Sequence, residues 1–96
     1  MTLAEYKVAY EQLHNRMVRV KNLASALKDG RFWFGATSFR LDVEHYIKTI
    51  ESVYKVYTTT PSYASKDYTA YVKRLESEVA QMEEKLKKVK EVSDCQ

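Results

Sequence analysis

The stretch of sequence that decides the fold is TLAEYKVAYEQLHNRMVRVKNLASAL, residues 2–27. Apolar residues recur in it at alternating steps of three and four: Leu3, Tyr6, Tyr10, Leu13, Met17, Val20, Ala24 and Leu27. This spacing places them on one face of a helix, as in a coiled coil. Thr2 and Glu5 form a capping-box pattern that begins the helix. Asp29-Gly30 predicts its end, because glycine suits the left-handed position that follows many helices.

Two further stretches repeat the three-four pattern. The second stretch contains Phe39, Val43, Tyr46, Ile50, Val53 and Tyr57, and the third contains Tyr68, Val72, Leu75, Val79, Met82, Leu86 and Val89. Thr37 or Ser38 is expected to cap helix 2, and Ser62 or Ser65 to cap helix 3. Pro61 disfavours helix at the residue before it and therefore separates the last two helices.

The three patterns predict an all-α fold, an antiparallel three-helix bundle with coiled-coil-like heptad packing in a single domain of residues 1–96. The predicted segments are helix 1 at about 3–29, a linker at 30–37, helix 2 at about 38–59, a linker at 60–65, helix 3 at about 66–92 and a frayed tail at 93–96. Helix 2 is therefore expected to be shorter than the two long helices. It would leave part of helices 1 and 3 uncovered, which favours a homo-oligomer or a protein partner.

The composition argues against several classes of protein. Lysine and arginine number 16 against 13 aspartates and glutamates, a net charge of +3. This excess is small for a nucleic-acid-binding protein. No apolar run approaches the roughly 20 residues that span a membrane, and the first residues lack a secretory-signal pattern. Because Cys95 is the single cysteine, a reducing, cytoplasmic location is expected.

One segment differs in composition from the rest, KDGRFWFGATSFR at residues 28–40. It holds the only tryptophan, all three phenylalanines and both glycines. Cations and hydroxyls at a helix N-terminus can bind a phosphate or a nucleotide, while aromatic and arginine side chains can anchor a protein partner. The structural alternative is that the aromatics plug the end of the bundle. The candidate binding residues are Arg31, Phe32, Trp33, Phe34, Thr37, Ser38 and Arg40.

The second half of helix 1 is basic and leads toward this segment. Arg16, Arg19 and Lys28 are therefore added to the candidate site, as part of one positively charged end that would attract an acidic protein surface. The chain also has eight tyrosines. They are interpreted either as boundary residues of a narrow bundle, with hydroxyls near water, or as a protein-binding face.

Catalytic and metal-binding patterns are sparse. His14 and His45 are the only histidines. Glu11 and His14 have the Glu-x-x-His spacing of di-iron bundles, which need a second such motif. No phosphate-binding loop or dinucleotide-binding glycine pattern is present. The sequence therefore predicts a protein that is not an enzyme, with no cofactor and no metal.

Trp33-Phe34-Gly35 lies between two predicted helices, and Tyr63 and Asp67 have a Tyr-x-x-x-Asp spacing. In these features the chain resembles the small exported ESAT-type proteins with a W-x-G turn. The resemblance implies that Trp33 and Gly35 form the turn and that Tyr63 and Asp67 guide export. Those proteins are two-helix hairpins, whereas three helices are predicted here.

The prediction that the sequence favours is a non-catalytic protein–protein interaction module. It would act as an adaptor or inhibitor, such as a phage-type antagonist of a host protein, by occupying a partner's surface. The alternatives are a small anion- or nucleotide-binding protein that uses residues 31–40, and an exported W-x-G-type protein.

Overall fold

The computed structural model describes residues 1–30, 33–63 and 67–94. Within them lie three long helices, α1 (Leu3–Ala24), α2 (Gly35–Thr59) and α3 (Thr69–Asp94), with a short 3-10 turn at Pro61–Tyr63. The helices pack against one another, which confirms the predicted all-α three-helix bundle. No helix in the described part of the chain is long and apolar enough to cross a membrane.

The direction of each helix follows from the contacts between helices. The Tyr10 ring in α1 stacks on Tyr54 of α2, while Arg40 of α2 reaches the last residue of α1, so these helices are antiparallel. Near the start of both helices the Tyr6 ring of α1 stacks on Tyr68, just before α3, and further along both helices Arg16 pairs with Glu83. Helix α3 therefore runs parallel to α1. The resulting bundle is elongated, with extents of 51 × 17 × 16 Å.

The heptad pattern predicts most of the core correctly. Each helix buries residues at three-four spacing, because that spacing returns side chains to the same face. The buried residues are Tyr6, Tyr10, Leu13, Met17, Val20 and Ala24 of α1, Ala36, Phe39, Val43, Ile47 and Ile50 of α2, and Tyr68, Val72, Leu75, Val79, Leu86 and Val89 on and just before α3. Tyr46 and Met82 are only partly buried.

The predicted capping box at the start of α1 is confirmed. The Thr2 hydroxyl oxygen accepts the Glu5 backbone amide at 3.2 Å, and the Glu5 carboxylate accepts the Thr2 backbone amide at 3.3 Å. The paired contacts satisfy amide groups that have no acceptor within the helix.

The predicted lengths of the helices are wrong. Helix α1 ends at Ala24, before the predicted boundary near residue 29, and α2 begins at Gly35 rather than near residue 38. With 22 residues in α1 and 25 in α2, the middle helix is not the shortest. The length of helix 2 therefore gives no reason to expect an oligomer.

The local reason for the early end of α1 is a tightening of the chain after Ala24. The amides of Ala26 and Leu27 bond to carbonyl oxygens three residues back, and the Ser25 hydroxyl donates to the Asn22 carbonyl at 2.6 Å. Such 3-10-type bonds commonly close a helix. Gly30 does not take the predicted left-handed conformation, since no described glycine has a positive φ.

The predicted caps of helix 3 are also corrected. The Asp67 carboxylate accepts the Thr69 backbone amide at 3.0 Å, which satisfies an amide at the start of α3. Ser62 lies in the 3-10 turn, and Ser65 is outside the described residues. Helix α3 continues to Asp94, into the predicted frayed tail, and Cys95 also lies outside the described part of the chain.

Seven tyrosines form a cluster at the end of the bundle where α1 and α3 begin. Their ring centroids lie between 4.0 and 6.3 Å apart for the contacting pairs. The members are Tyr6, Tyr10, Tyr54, Tyr57, Tyr63, Tyr68 and Tyr71. Tyrosine rings therefore form the core at this end of the bundle.

The hydroxyls of the tyrosines have different environments. Tyr6 has no exposed surface, and its hydroxyl makes no hydrogen bond of ordinary geometry within the described residues. Burial raises the pKa of Tyr6 above its usual range, and burial also raises the pKa of Tyr10 to about 12. Outside the cluster, the Tyr46 hydroxyl donates to the Glu78 carboxylate at 2.8 Å.

The two kinds of hydroxyl lead to opposite expectations for tyrosine-to-phenylalanine substitutions. Tyr6→Phe removes a buried hydroxyl that has the Tyr71 side chain as a polar neighbour but makes no hydrogen bond of ordinary geometry, so the free energy of unfolding should rise by up to about 1 kcal/mol. Tyr46→Phe removes a hydrogen bond to a carboxylate and should lower the free energy of unfolding by about 1–2 kcal/mol. Urea unfolding monitored by circular dichroism measures both. A clear loss of stability in Tyr6→Phe would contradict the environment described for its hydroxyl.

Candidate functional site

Asp29, Thr37 and Arg40 form the junction between α1 and α2. The Asp29 carboxylate accepts the Thr37 backbone amide at 3.1 Å and also accepts the Thr37 hydroxyl. Asp29 thus satisfies an amide in the first turn of α2, whose N-cap residue Phe34 makes no side-chain cap. The predicted capping by Thr37 or Ser38 is therefore wrong.

Arg40 belongs to the same junction. Its guanidinium donates to the carbonyl oxygen of Leu27 at 2.7 Å and to that of Ala24 at 3.4 Å, and it lies 3.7 Å from the Asp29 carboxylate. Carbonyl groups at the end of a helix lack partners within it, so Arg40 supplies donors that the end of α1 needs. Arg40 and Thr37, two of the residues predicted to bind an anion, are both engaged in holding the junction.

The predicted aromatic segment divides into a packed and an exposed part. Trp33 is partly buried against the core, and its indole ring covers Gly35 so closely that a Cβ atom there would overlap it. Phe34 is 69% exposed, and Ser38 is exposed. Trp33 therefore helps to close the end of the bundle and Phe34 does not. Arg31 and Phe32 lie outside the described residues.

The predicted cations of helix 1 also have different positions. Arg16 donates to the Glu83 carboxylate from its Nε at 3.3 Å, and the hydrogen bonds from Arg16 hold the pKa of Glu83 below its usual range. Arg19 and Lys28 line a groove between α1 and α3. The structure thus brings Arg19 and Lys28 together and places Arg40 in the junction.

This groove has a volume of about 820 Å³. Its apolar lining comes from Val20, Leu23, Leu27 and Leu86, with small side chains at Ala26 and Ala80. Its charged lining comes from the cations Arg19, Lys28, Lys87 and Lys90 and from the carboxylates Glu83 and Glu84. None of the described α2 residues contributes to the lining, so the groove lies on the α1–α3 side of the bundle.

Leu23 is the most exposed apolar residue of the groove. Its side chain is 49% exposed because it stands beside the buried row of α1, between Val20 and Ala24. Leu27, which follows the end of the helix, lines the same groove. The candidate list from the sequence omitted Leu23 and every α3 residue. A leucine outside the predicted row and beside basic residues was the available signal.

The histidines do not belong to a metal-binding group within the described residues. His14 Nε2 lies 2.9 Å from the Glu51 carboxylate of α2, and no three histidine, cysteine or acidic side chains of the described chain lie close enough to bind a metal. The Glu11–His14 pattern therefore has no second motif beside it.

No family model, curated protein or solved structure matches the chain. We therefore infer the function from the geometry of the groove and the junction.

The packing of Trp33 over Gly35 gives an expectation that fluorescence can test. Gly35→Ala should displace the indole ring into water and shift its emission to longer wavelength, although alanine alone would favour the helix by up to about 1 kcal/mol. Because Trp33 is the only tryptophan, its emission reports this position directly. Ser38→Ala, on the exposed side of the same helix, is the control and should leave the emission unchanged. An unshifted spectrum in Gly35→Ala would show that the ring does not cover Gly35.

The Asp29 contacts give an expectation for acid. Hydrogen bonds from Thr37 lower the pKa of Asp29 below its usual range, so the ionised carboxylate favours the folded state. That stabilisation is present above about pH 4, the value of an unfolded aspartate, and is lost as the pH falls further. Between pH 6 and pH 3 the melting temperature of Asp29→Asn should therefore decrease less than that of the wild type. In the control Asp42→Asn, which removes an exposed ion pair with Lys85, the decrease should stay closer to that of the wild type. Equal decreases in the wild type and Asp29→Asn would contradict the assigned role.

Proposed function

We propose that the protein is a non-catalytic interaction module that binds an acidic surface of another protein in the α1–α3 groove. The observation that carries the proposal is an exposed leucine, Leu23, within a groove that also contains four cations. On this interpretation the protein acts as an adaptor or an inhibitor, because occupying a partner's surface needs no chemistry beyond binding. A cytoplasmic location is part of the proposal and depends on the single cysteine.

The apolar part of the groove supports a protein as the ligand. Leu23 and Leu27 line the groove together with Val20 and Leu86, whose side chains are buried beneath it. Covering exposed apolar surface releases about 25 cal/mol per Å², and binding energy in protein interfaces concentrates in such central apolar positions with polar surroundings. A partner's side chain placed against Leu23 would gain this energy without displacing any part of the bundle.

The charges around the groove favour an acidic partner. Glu83 is already paired with Arg16, and Glu84 lies 3.3 Å from Lys87. The carboxylates are thus compensated by neighbouring cations, while Arg19 and Lys90 add further positive charge to the lining. A positive rim attracts acidic surfaces and raises their rate of association.

The anion- or nucleotide-binding alternative receives less support. Thr37 and Arg40 are held in the junction by Asp29 and by the carbonyl oxygens of α1. Of the described candidates in the aromatic segment, Phe34 and Ser38 remain accessible. An exposed ring and a hydroxyl provide no charge to balance a phosphate.

The proposal predicts that a charge placed in the groove abolishes partner binding. Leu23→Glu should remove an apolar anchor and add a charge of the partner's own sign, and an anchor residue is commonly worth more than tenfold in affinity. Immobilised wild-type protein and variant are compared for proteins captured from lysate of the cells that express it, and the captured partner is then titrated in purified form.

Leu41→Glu is the matched control. Leu41 lies on α2 away from the groove and is 61% exposed, so both substitutions replace an exposed helical leucine with glutamate. The proposal requires a partner that binds wild type and Leu41→Glu alike and is lost with Leu23→Glu. A partner retained by Leu23→Glu, or the absence of any specific partner, would overturn it.

A further inference from the structure

We propose that the segment of the partner that fills the groove is a single amphipathic α-helix with acidic residues beside its apolar face, which completes a four-helix bundle. This inference rests on the proposed function and names the structural class of the bound segment. It is based on the parallel course of the two groove walls, on the hydrogen bonding of their backbone groups and on the charged side chains along them.

The walls of the groove have the spacing that a helix fits. Helix α1 and the residues after it present Leu23 and Leu27, four residues apart, and α3 presents Lys87 and Lys90, three residues apart. The two walls run in parallel along the bundle axis. Rows spaced by three and four form ridges into which the side chains of another helix pack. Ala26 and Ala80 let a neighbouring backbone approach closely.

The backbone of the groove favours a helix over an extended strand. A strand gains affinity by bonding to free amide and carbonyl groups at a sheet edge. The wall residues of α1 and α3 lie in helices, whose backbone groups bond within the helix, and the carbonyl oxygens of Ala24 and Leu27 accept from Arg40. The groove thus lacks a backbone edge in its described residues, whereas an incoming helix satisfies its own backbone.

The charge of the groove selects the sign of the bound helix. Arg19 and Lys90 supply the excess positive charge beside the apolar floor, and Lys87, which lies 3.3 Å from Glu84, has a side chain that is 71% exposed. Glutamates on either side of an apolar face would lie opposite these cations, as at the flanks of a coiled coil.

The experiment uses a labelled synthetic peptide of leucine and glutamate, with leucines at three-four spacing. Its binding to the full chain is followed by fluorescence anisotropy with the peptide at nanomolar concentration, where it does not self-associate. Two control peptides change one property each. The first has the same composition with the leucines respaced so that they scatter around the helix, and the second has lysine in place of every glutamate. Sodium decanoate is titrated separately, because an amphipathic carboxylic acid shares the charge and apolar character of the helix.

Two double variants test where the peptide binds. Lys87→Glu with Lys90→Glu reverses charges in the groove, and Lys48→Glu with Lys55→Glu makes the same change in net charge at exposed positions of α2. The expected result is saturable binding of the helical peptide, weakened at least about tenfold by the groove variant and by less than about threefold by the α2 variant. All four lysines are exposed, and circular dichroism checks that the variants remain helical.

Several results would overturn the inference: no binding of the helical peptide, equal binding of either control peptide, equal effects of the two double variants, or saturation by decanoate alone. If the unliganded wild-type protein elutes as a dimer and Leu23→Glu elutes as a monomer, the groove binds a second copy of the chain. The proposed function fails separately. If a captured partner is lost with Leu23→Glu but its protected segment in hydrogen exchange is not a helix, the function stands and the inference is wrong.

Discussion

The Arg40 guanidinium bonds to the carbonyl oxygens of Leu27 and Ala24, and the arrangement of the chain around α1 depends on this contact. The two sides of the junction supply hydrogen bonds to each other: Arg40 of α2 donates to carbonyl groups at the end of α1, and Asp29 accepts an amide of α2. The chain can therefore reverse direction within a short connection. The same contact holds Leu27 beside α3, where it forms part of the groove wall.

The two ends of the bundle differ in how their interior is filled. Tyrosine rings from all three helices fill the end near the start of α1, and stacked pairs such as Tyr6 with Tyr68 occupy the space between helices. The other end is packed with smaller buried side chains, including Ala24, Ala36 and Val89. The groove lies toward this second end, where α1 has stopped and α3 continues. On the proposed function, the tyrosine cluster serves stability and the groove serves recognition.

The candidate site was only partly predictable. The sequence indicated a basic end near residues 28–40, and Arg19 and Lys28 do line the groove. It did not indicate that Arg40 and Thr37 would be engaged in the junction, since a side chain's partners across a turn depend on the path of the backbone. Leu23 and Lys87 were missed as neighbours because they are distant in sequence and meet only when α1 and α3 run side by side.

By itself, the sequence determined the fold class, the start of α1 and most of the buried residues. The reason is that helical periodicity and the Thr2–Glu5 capping box are local properties, read within a few residues of the chain. Tertiary structure alone decided how the junction after α1 is held and which cations remain available to a partner. Those outcomes depend on hydrogen bonds between residues far apart in the sequence, such as Arg40 with Leu27 and Arg16 with Glu83, and such contacts have no signature in local spacing.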